Sequence, residues 1–229
     1  MIINTFKFNF YGVLLVSSII IGFIYIFLSL KKEQEDINQL KLYALLFFSF
    51  TFVFGKIFTI VVSKEPVNII NAGFSSYGGL IGVISSAIIF EKIVPMNKKL
   101  IKYSILSLPL VYSVSKIGCF LAGCCYGIPY DGLFSVTYTS GLNIKLFPIQ
   151  LTESIVFLII FLILNRFKNN KNIIYITIII SALMKYLLDF LRYEHINKFI
   201  TVNQVFSLIL IIGTFIILII NEKKLTKNS

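Results

Sequence analysis

The sequence predicts an all-α polytopic membrane protein: seven transmembrane helices with a small extracytoplasmic cap. Three observations predict it. The 229 residues are 57% hydrophobic and 14% charged, more apolar surface than a soluble domain of this length can hide. Several runs of about 20 residues pass with almost no charge, the length that crosses a hydrocarbon core roughly 30 Å thick. The basic residues gather mainly between those runs, where they set orientation and meet anionic lipid. The net charge of +11 therefore points to a membrane surface and not to nucleic acid; only Arg166 and Arg192 are arginines. Barrel strands are excluded because the runs are continuously apolar and do not alternate.

The spans are expected over 10–30, 41–63, 76–94, 101–121, 150–166, 173–192 and 202–221. The first is free of charge and closes on Lys31 and Lys32. It is too long for a cleavable signal, and no A-x-A-like site follows it. The second follows the polar link "KKEQEDINQLK" and carries Lys56; the third opens on "SSYGGLIG" and closes near Lys92. The fourth runs into "KIGCFLAGCCYGIPY", which holds all three cysteines. The fifth starts near Glu153 and ends at Arg166, the sixth carries Lys185 and Asp189, and the seventh is free of charge. No repeat of 20–50 residues is visible. The chain is expected to be one transmembrane domain, 1–229, with 128–147 as an extracytoplasmic insertion and 222–229 as a cytoplasmic tail. Within the insertion, "LFSVTYTSGLNIKLF" alternates on both sides of Ser140-Gly141 as a hairpin does.

Orientation follows from the cations. Thirteen lie in one set of connections (around 31–41, 92–102, 166–171 and 223–227) and five in the other (Lys7, Lys64, Lys145, Arg192, Lys198). The richer set is expected in the cytoplasm. That puts the N-terminus outside, the C-terminus inside, and the cysteines at the outer end of the fourth span.

Lys56, Lys116 and Lys185 remain, each inside or at the edge of an apolar span. A lysine at mid-membrane costs about 2.5–3.5 kcal/mol on insertion scales, so a carboxylate, a wet cavity or a bound anion must offset it. Asp189 lies one helical turn after Lys185 and can pair with it; Glu153 is a second candidate partner. Three such lysines point to a polar pocket for an anion, in a bilayer a lipid phosphate, which lysine meets as a point charge. Gly78, Gly79 and Gly82 either admit a neighbouring helix or expose backbone N–H groups to an anion. Gly118, Gly123 and Gly127 leave backbone bare for a headgroup. The cysteines admit a disulfide of Cys119 with Cys124 or Cys125, a thiol activated by a nearby lysine, or small apolar packing. A metal site is not expected, for lack of a neighbouring histidine, and no cofactor is expected.

Seven motifs, in order and at similar spacing, resemble the bacterial prolipoprotein diacylglyceryl transferase family: "YGVLLV" at Tyr11, "FGKIFTIV" around Lys56, "SSYGGLIG", "KIGCFLAGCCYG", "FPIQLTES", "ALMKYLLDFLR" and "NQVFSL". The resemblance implies seven membrane helices with the N-terminus outside. It implies transfer of a diacylglyceryl group from phosphatidylglycerol to the lipobox cysteine of a prelipoprotein, giving a thioether and releasing glycerol phosphate. The implied setting is a bacterial cell membrane, the implied partners are that lipid and a prelipoprotein or cysteine-bearing peptide, and the enzyme is expected to act as a monomer. Tyr77 stands where the family has a histidine proposed to take the thiol proton. Lys116 stands at its signature arginine, Cys119 at its asparagine, Cys124 at its glutamate, and Phe147 at a second histidine. Lys185 and Asp189 replace a late arginine–glutamate pair. By resemblance the catalytic set is Lys116, Lys185, Asp189, Tyr77, Cys119 and Cys124. Tyr11, Lys56, Gly78, Gly79, Gly118, Gly123, Gly127, Gln150, Glu153 and Arg192 are expected to hold substrate.

Two other classes remain at this point. A membrane thiol oxidoreductase would account for the cysteines but not for the lysines. A non-catalytic lipid-binding relative would keep the pocket and lose the base.

Overall fold

The computed structural model describes residues 2–3, 10–62, 76–94, 98–138 and 143–227. Among them are α1 (Phe10–Lys32), α2 (Asn38–Val62), α3 (Ser76–Ile93), α4 (Lys98–Ala122), α5 (Ile149–Arg166), α6 (Ile173–Asp189) and α7 (Val202–Lys227). The molecule is thus an all-α, multi-pass membrane protein, with a helix at each expected position. Five of the helices contain stretches long and apolar enough to span: Gly12–Lys32, Asn38–Phe58, Lys98–Ala122, Ile149–Arg166 and Val202–Asn221. Among the described residues the expected count of seven spans is not confirmed exactly, since α6 has 17 residues and the described apolar stretch of α3 is Ile81–Phe90. Helix α6 stops at Asp189 instead of continuing to Arg192. There the chain folds back, with Arg192 N–H donating to Asp189 O at 3.0 Å and Ile128 N–H to Leu191 O at 3.0 Å.

The chain divides into two compact units, Tyr25–Tyr103 and Met1–Ile24 with Ser104–Ser229. In the first, α3 lies directly on α2. A Cβ at Gly82 would stand 2.4 Å from the Phe50 carbonyl oxygen, so this glycine takes the close-packing role of small residues in membrane helices. Tyr43 meets Phe90 edge to face at 5.3 Å, an arrangement that places ring edge against ring face. The polar link after α1 is tied to the start of α4. Lys99 lies 3.1 Å from Glu33 and 2.8 Å from Glu35, Lys102 lies 3.4 Å from Glu33, and the Tyr103 hydroxyl donates to Glu33.

In the second unit α6 packs on both α5 and α7. Leu188 of α6 meets Ile149 and Phe157 of α5, with Tyr112, Phe147 and Met184 around them. Above the end of α4, Val136, Tyr138 and Leu146 close over Phe120, so the insertion buries its alternate residues as a cap does. Val136 and Leu146 exchange both backbone bonds, at 3.0 and 2.9 Å, in antiparallel fashion. Strand β2 (Thr137–Tyr138) pairs in parallel with β1 (Ile2–Ile3). The Ser140-Gly141 turn lies outside the described residues. Helix α7 begins with a reciprocal cap: Gln204 N–H donates to Thr201 Oγ1 at 3.2 Å, and Thr201 N–H donates to Gln204 Oε1 at 3.1 Å. This T-x-x-Q pattern satisfies two orphan donors at once.

The Tyr103 hydroxyl, helped against partial burial by Lys99 and Lys102, holds the Glu33 carboxyl at about 2 instead of 4.5. A depressed carboxyl contributes stability above its unfolded value and loses it as pH falls through the folded one. Thermal unfolding in detergent is therefore expected to show no Glu33 effect from pH 7 down to about 5 and a loss between 4.5 and 2. Glu33→Gln should remove that step and cost roughly 1–2 kcal/mol at neutral pH, after discount for solvent screening.

Candidate functional site

Helix α5 enters the membrane core with a glutamate at its fifth residue. Glu153 is fully buried. A lone buried carboxylate is costly and must be paired and hydrogen-bonded. Three cations meet it. Lys116 Nζ of α4 lies 2.9 Å from Oε2, Lys185 Nζ of α6 lies 2.9 Å from Oε1, and Arg192 Nη2 donates to Oε1 and Oε2 at 2.8 and 2.9 Å. The Tyr112 hydroxyl donates to Oε1 at 3.1 Å. Tyr112 precedes Lys116 by one turn of α4, and its ring faces both ammonium groups, 4.9 Å from Lys116 and 5.4 Å from Lys185. That ring supplies a cation–π face where water is excluded.

Asp189, also fully buried, forms the second layer. Its Oδ1 lies 3.3 Å from Arg192 Nε and 3.9 Å from Lys185 Nζ. It accepts hydrogen bonds from the Thr201 hydroxyl and from Asn203 Nδ2, the latter at 3.2 Å, and His195 Nε2 stands 3.6 Å from Oδ2. Lys185 therefore leans on Glu153 more closely than on Asp189, the partner its sequence spacing suggests. Counted over these five side chains alone, three cations face two carboxylates, a formal excess of one positive charge.

The cysteine turn lies one helical turn away. Gly123 (φ 63°) ends α4, with Gly123 N–H donating to Phe120 O at 3.2 Å and Cys124 N–H to Cys119 O at 3.1 Å. This is a Schellman cap, which requires a left-handed residue at that place. Gln150 Nε2 donates to the Cys124 carbonyl at 2.6 Å, and Gln150 precedes Glu153 by one turn of α5. Gln150 Oε1 is buried and without a hydrogen-bond partner among the described residues. A Cβ at Gly127 would stand 2.3 Å from Phe147 O. Segment 126–128 passes between 191–193 and Phe147, bonded to both through Tyr193 N–H to Tyr126 O at 3.0 Å and Phe147 N–H to Ile128 O at 2.9 Å. This ladder holds Arg192 in place. The three sulfurs lie within 4.8 Å of one another. The Cys124 thiol donates to the Cys119 carbonyl at 3.6 Å.

The fold thus brings together Lys116, Lys185, Asp189, Glu153 and Arg192, and sets Gln150, Gly118, Gly123, Gly127, Cys119 and Cys124 along the same two helix ends. Lys56, Tyr77, Gly78 and Gly79 belong to the 25–103 unit, and the side chains of Tyr11 and Tyr77 lie outside the described residues. Tyr112, Thr201, Asn203 and His195 are additions that the sequence reading did not make. Two local signals point to them: the i, i+4 spacing of Tyr112 and Lys116, and the T-x-x-Q cap that carries Thr201 to Asp189.

A model of the family described as "Prolipoprotein diacylglyceryl transferase" matches residues 1–220. The chain is also similar to the phosphatidylglycerol–prolipoprotein diacylglyceryl transferase of Clostridium tetani (strain Massachusetts / E88), at 30% identity over 169 residues, covering 69% of this chain and 68% of that one. The chain belongs to the prolipoprotein diacylglyceryl transferase family.

Glu153→Gln keeps the shape and leaves three cations against one carboxylate. Removing one partner of a buried ionic cluster costs about 3–5 kcal/mol. The variant is expected to lose most of its folded population or to melt well below the parent in detergent, read by thermal unfolding. Glu153→Asp should recover part of that loss.

Proposed function

We propose that this chain transfers the diacylglyceryl group of phosphatidylglycerol to the lipobox cysteine thiol of a prelipoprotein in a bacterial cell membrane. The observation that carries this reading is the buried excess positive charge around Glu153. An uncompensated charge in a low-dielectric site is costly, and an incoming phosphate diester removes the deficit.

Lys116 and Lys185 contact the phosphate and hold the charge that grows on departing glycerol phosphate, as preorganised groups in a dry site do. Glu153 and Asp189 are positioning residues: they fix the cations and lower the cost of burying them. Arg192, gripped at both ends by carboxylates, presents its remaining N–H groups in a fixed fork. The free Gln150 Oε1 offers an acceptor for a headgroup hydroxyl. In the transfer, the acceptor sulfur forms a C–S bond to the glyceryl carbon, the C–O bond to phosphate breaks, and its electron pair leaves on glycerol phosphate. By resemblance Tyr77 takes the place of the family's histidine proposed to accept the thiol proton. An ordinary phenol with a pKa near 10 is a poor base at neutral pH, so the thiol proton needs another route out. The cluster is complete within one chain, which supports a monomeric enzyme. The N-terminus lies outside and the C-terminus in the cytoplasm, in keeping with the distribution of lysines.

Purified protein incubated with phosphatidylglycerol and a lipobox peptide is expected to yield the diacylglyceryl thioether, scored by mass spectrometry. Lys116→Met and Lys185→Met should each lower turnover about 10²–10³-fold, the usual loss for a group that meets transition-state charge. No adduct beside an active family member run in parallel, or unchanged turnover in both variants, would overturn the reading.

A further inference from the structure

The cysteines are the part of this site that the anion chemistry leaves unused. Their three Sγ atoms converge within 4.8 Å, although the residues come from the last turn of α4 and the loop beyond it. Backbone geometry imposes the convergence. The left-handed cap at Gly123 reverses the chain, and Cys125 itself sits at φ 58°. A non-glycine residue held in that left-handed region is strained and persists where surrounding structure demands it. The cluster is graded in exposure: Cys119 is buried, Cys124 half-buried and Cys125 exposed. One edge is therefore open to an incoming group.

We propose that Cys119, Cys124 and Cys125 form a three-thiolate site for zinc, and that its open fourth position takes the acceptor thiol. This inference rests on the transferase reading. Three sulfurs with no oxygen ligand among them select a soft cation over magnesium or calcium. Thiolates on tetrahedral zinc stand about 2.3 Å from the metal, hence roughly 3.8 Å from one another, inside the 4.8 Å within which the three sulfurs lie. Structural zinc sites fill all four positions, whereas sites that do chemistry keep one open.

The reaction needs what such a site supplies. An acceptor thiol with a pKa near 8.5 is mostly protonated at neutral pH, and a thiol that coordinates zinc is deprotonated outright. Binding at the fourth position releases the thiol proton to water at the open edge by Cys125. The bound sulfur then gives its electron pair to the glyceryl carbon as the C–O bond to phosphate breaks. Zinc keeps its oxidation state, and the thioether, a neutral and weaker ligand than the thiolate, leaves. Cys119 follows Lys116 by one turn of α4, and Gln150 joins the Cys124 carbonyl to the helix that carries Glu153. Nucleophile and phosphate are therefore delivered to adjacent turns of the same two helices.

The test uses the full-length protein in detergent, reduced and stripped of metal, then loaded with Zn²⁺ or with Co²⁺ as a spectroscopic probe. One zinc per chain is expected to survive dialysis, and Co²⁺ should give thiolate charge-transfer bands with a tetrahedral visible spectrum. A lipobox peptide should shift that spectrum, and the same peptide with serine in place of its cysteine should not. Cys119→Ser, Cys124→Ser and Cys125→Ser should each weaken metal binding at least tenfold; Cys125→Ser, at the exposed position, keeps the test valid if the buried variants fail to fold. Zinc retention no greater than in the triple serine variant would overturn the site. A spectrum indifferent to the cysteine peptide would overturn its role with the acceptor. Full transfer by stripped enzyme sinks this proposal and keeps the transferase reading. Peptide-sensitive metal binding with no transfer in any metal state does the reverse.

Discussion

The Glu153 carboxylate is the point on which the rest of the second unit depends. Lys116, Lys185 and Arg192 come from α4, α6 and the turn after α6, and each would be expensive alone in hydrocarbon. One buried carboxylate makes all three affordable and, in doing so, fixes how three separate segments meet. The arrangement stops short of neutrality even with Asp189 counted. Buried ionic clusters contribute little to stability when fully satisfied and much to specificity of position. A cluster left one negative charge short adds a third property, a standing demand for an anion. The Tyr112 ring, set against both lysines, and the Thr201 and Asn203 bonds to Asp189 keep the cations from relaxing into some other pairing.

Backbone features carry this geometry outward from the carboxylate. Helix α6 ends where its chain must turn to return Arg192. The turn is held by the 126–128 segment, which Gly127 admits by lacking a side chain. The Schellman cap at Gly123 ends α4 about two turns past Lys116 and brings the thiols together. The charged cluster and the three thiols thus grow from the ends of α4 and α5, with Gln150 and Glu153 one turn apart as the link. Groups mounted on helix ends hold position better than groups on free loops, which suits a reaction that must align a lipid carbon with a sulfur.

Much of this was legible in the sequence, for physical reasons that also set the limit. Helix positions follow from charge-free runs, because only helices and closed barrels satisfy backbone in lipid and these runs do not alternate. The oddity of Lys116 and Lys185 follows from the cost of burying them, and Asp189 follows from helical spacing. Glu153 was visible as a candidate but not as the hub. Its partners lie about 30–40 residues away on other elements, and no periodicity encodes that meeting. Arg192 reads as a flanking cation from charge distribution and is expected at the site only by resemblance, since the early end of α6 that turns it inward depends on tertiary bonds to 126–128. The convergence of three sulfurs depends on a left-handed cap and a positive φ at Cys125, which Gly123 suggests only in part.

On the proposed reading, the cluster around Glu153 is one negative charge short and a lipid phosphate supplies it. The most direct measurement compares binding of phosphatidylglycerol with that of diacylglycerol bearing the same chains, by native mass spectrometry, for the parent and for Lys116→Met. In the parent, the anionic lipid should be retained strongly over the neutral one. In the variant, two cations face two carboxylates, so the protein should stay folded and the preference should largely vanish. Equal retention of both lipids by the parent, or an undiminished preference in Lys116→Met, would contradict the account.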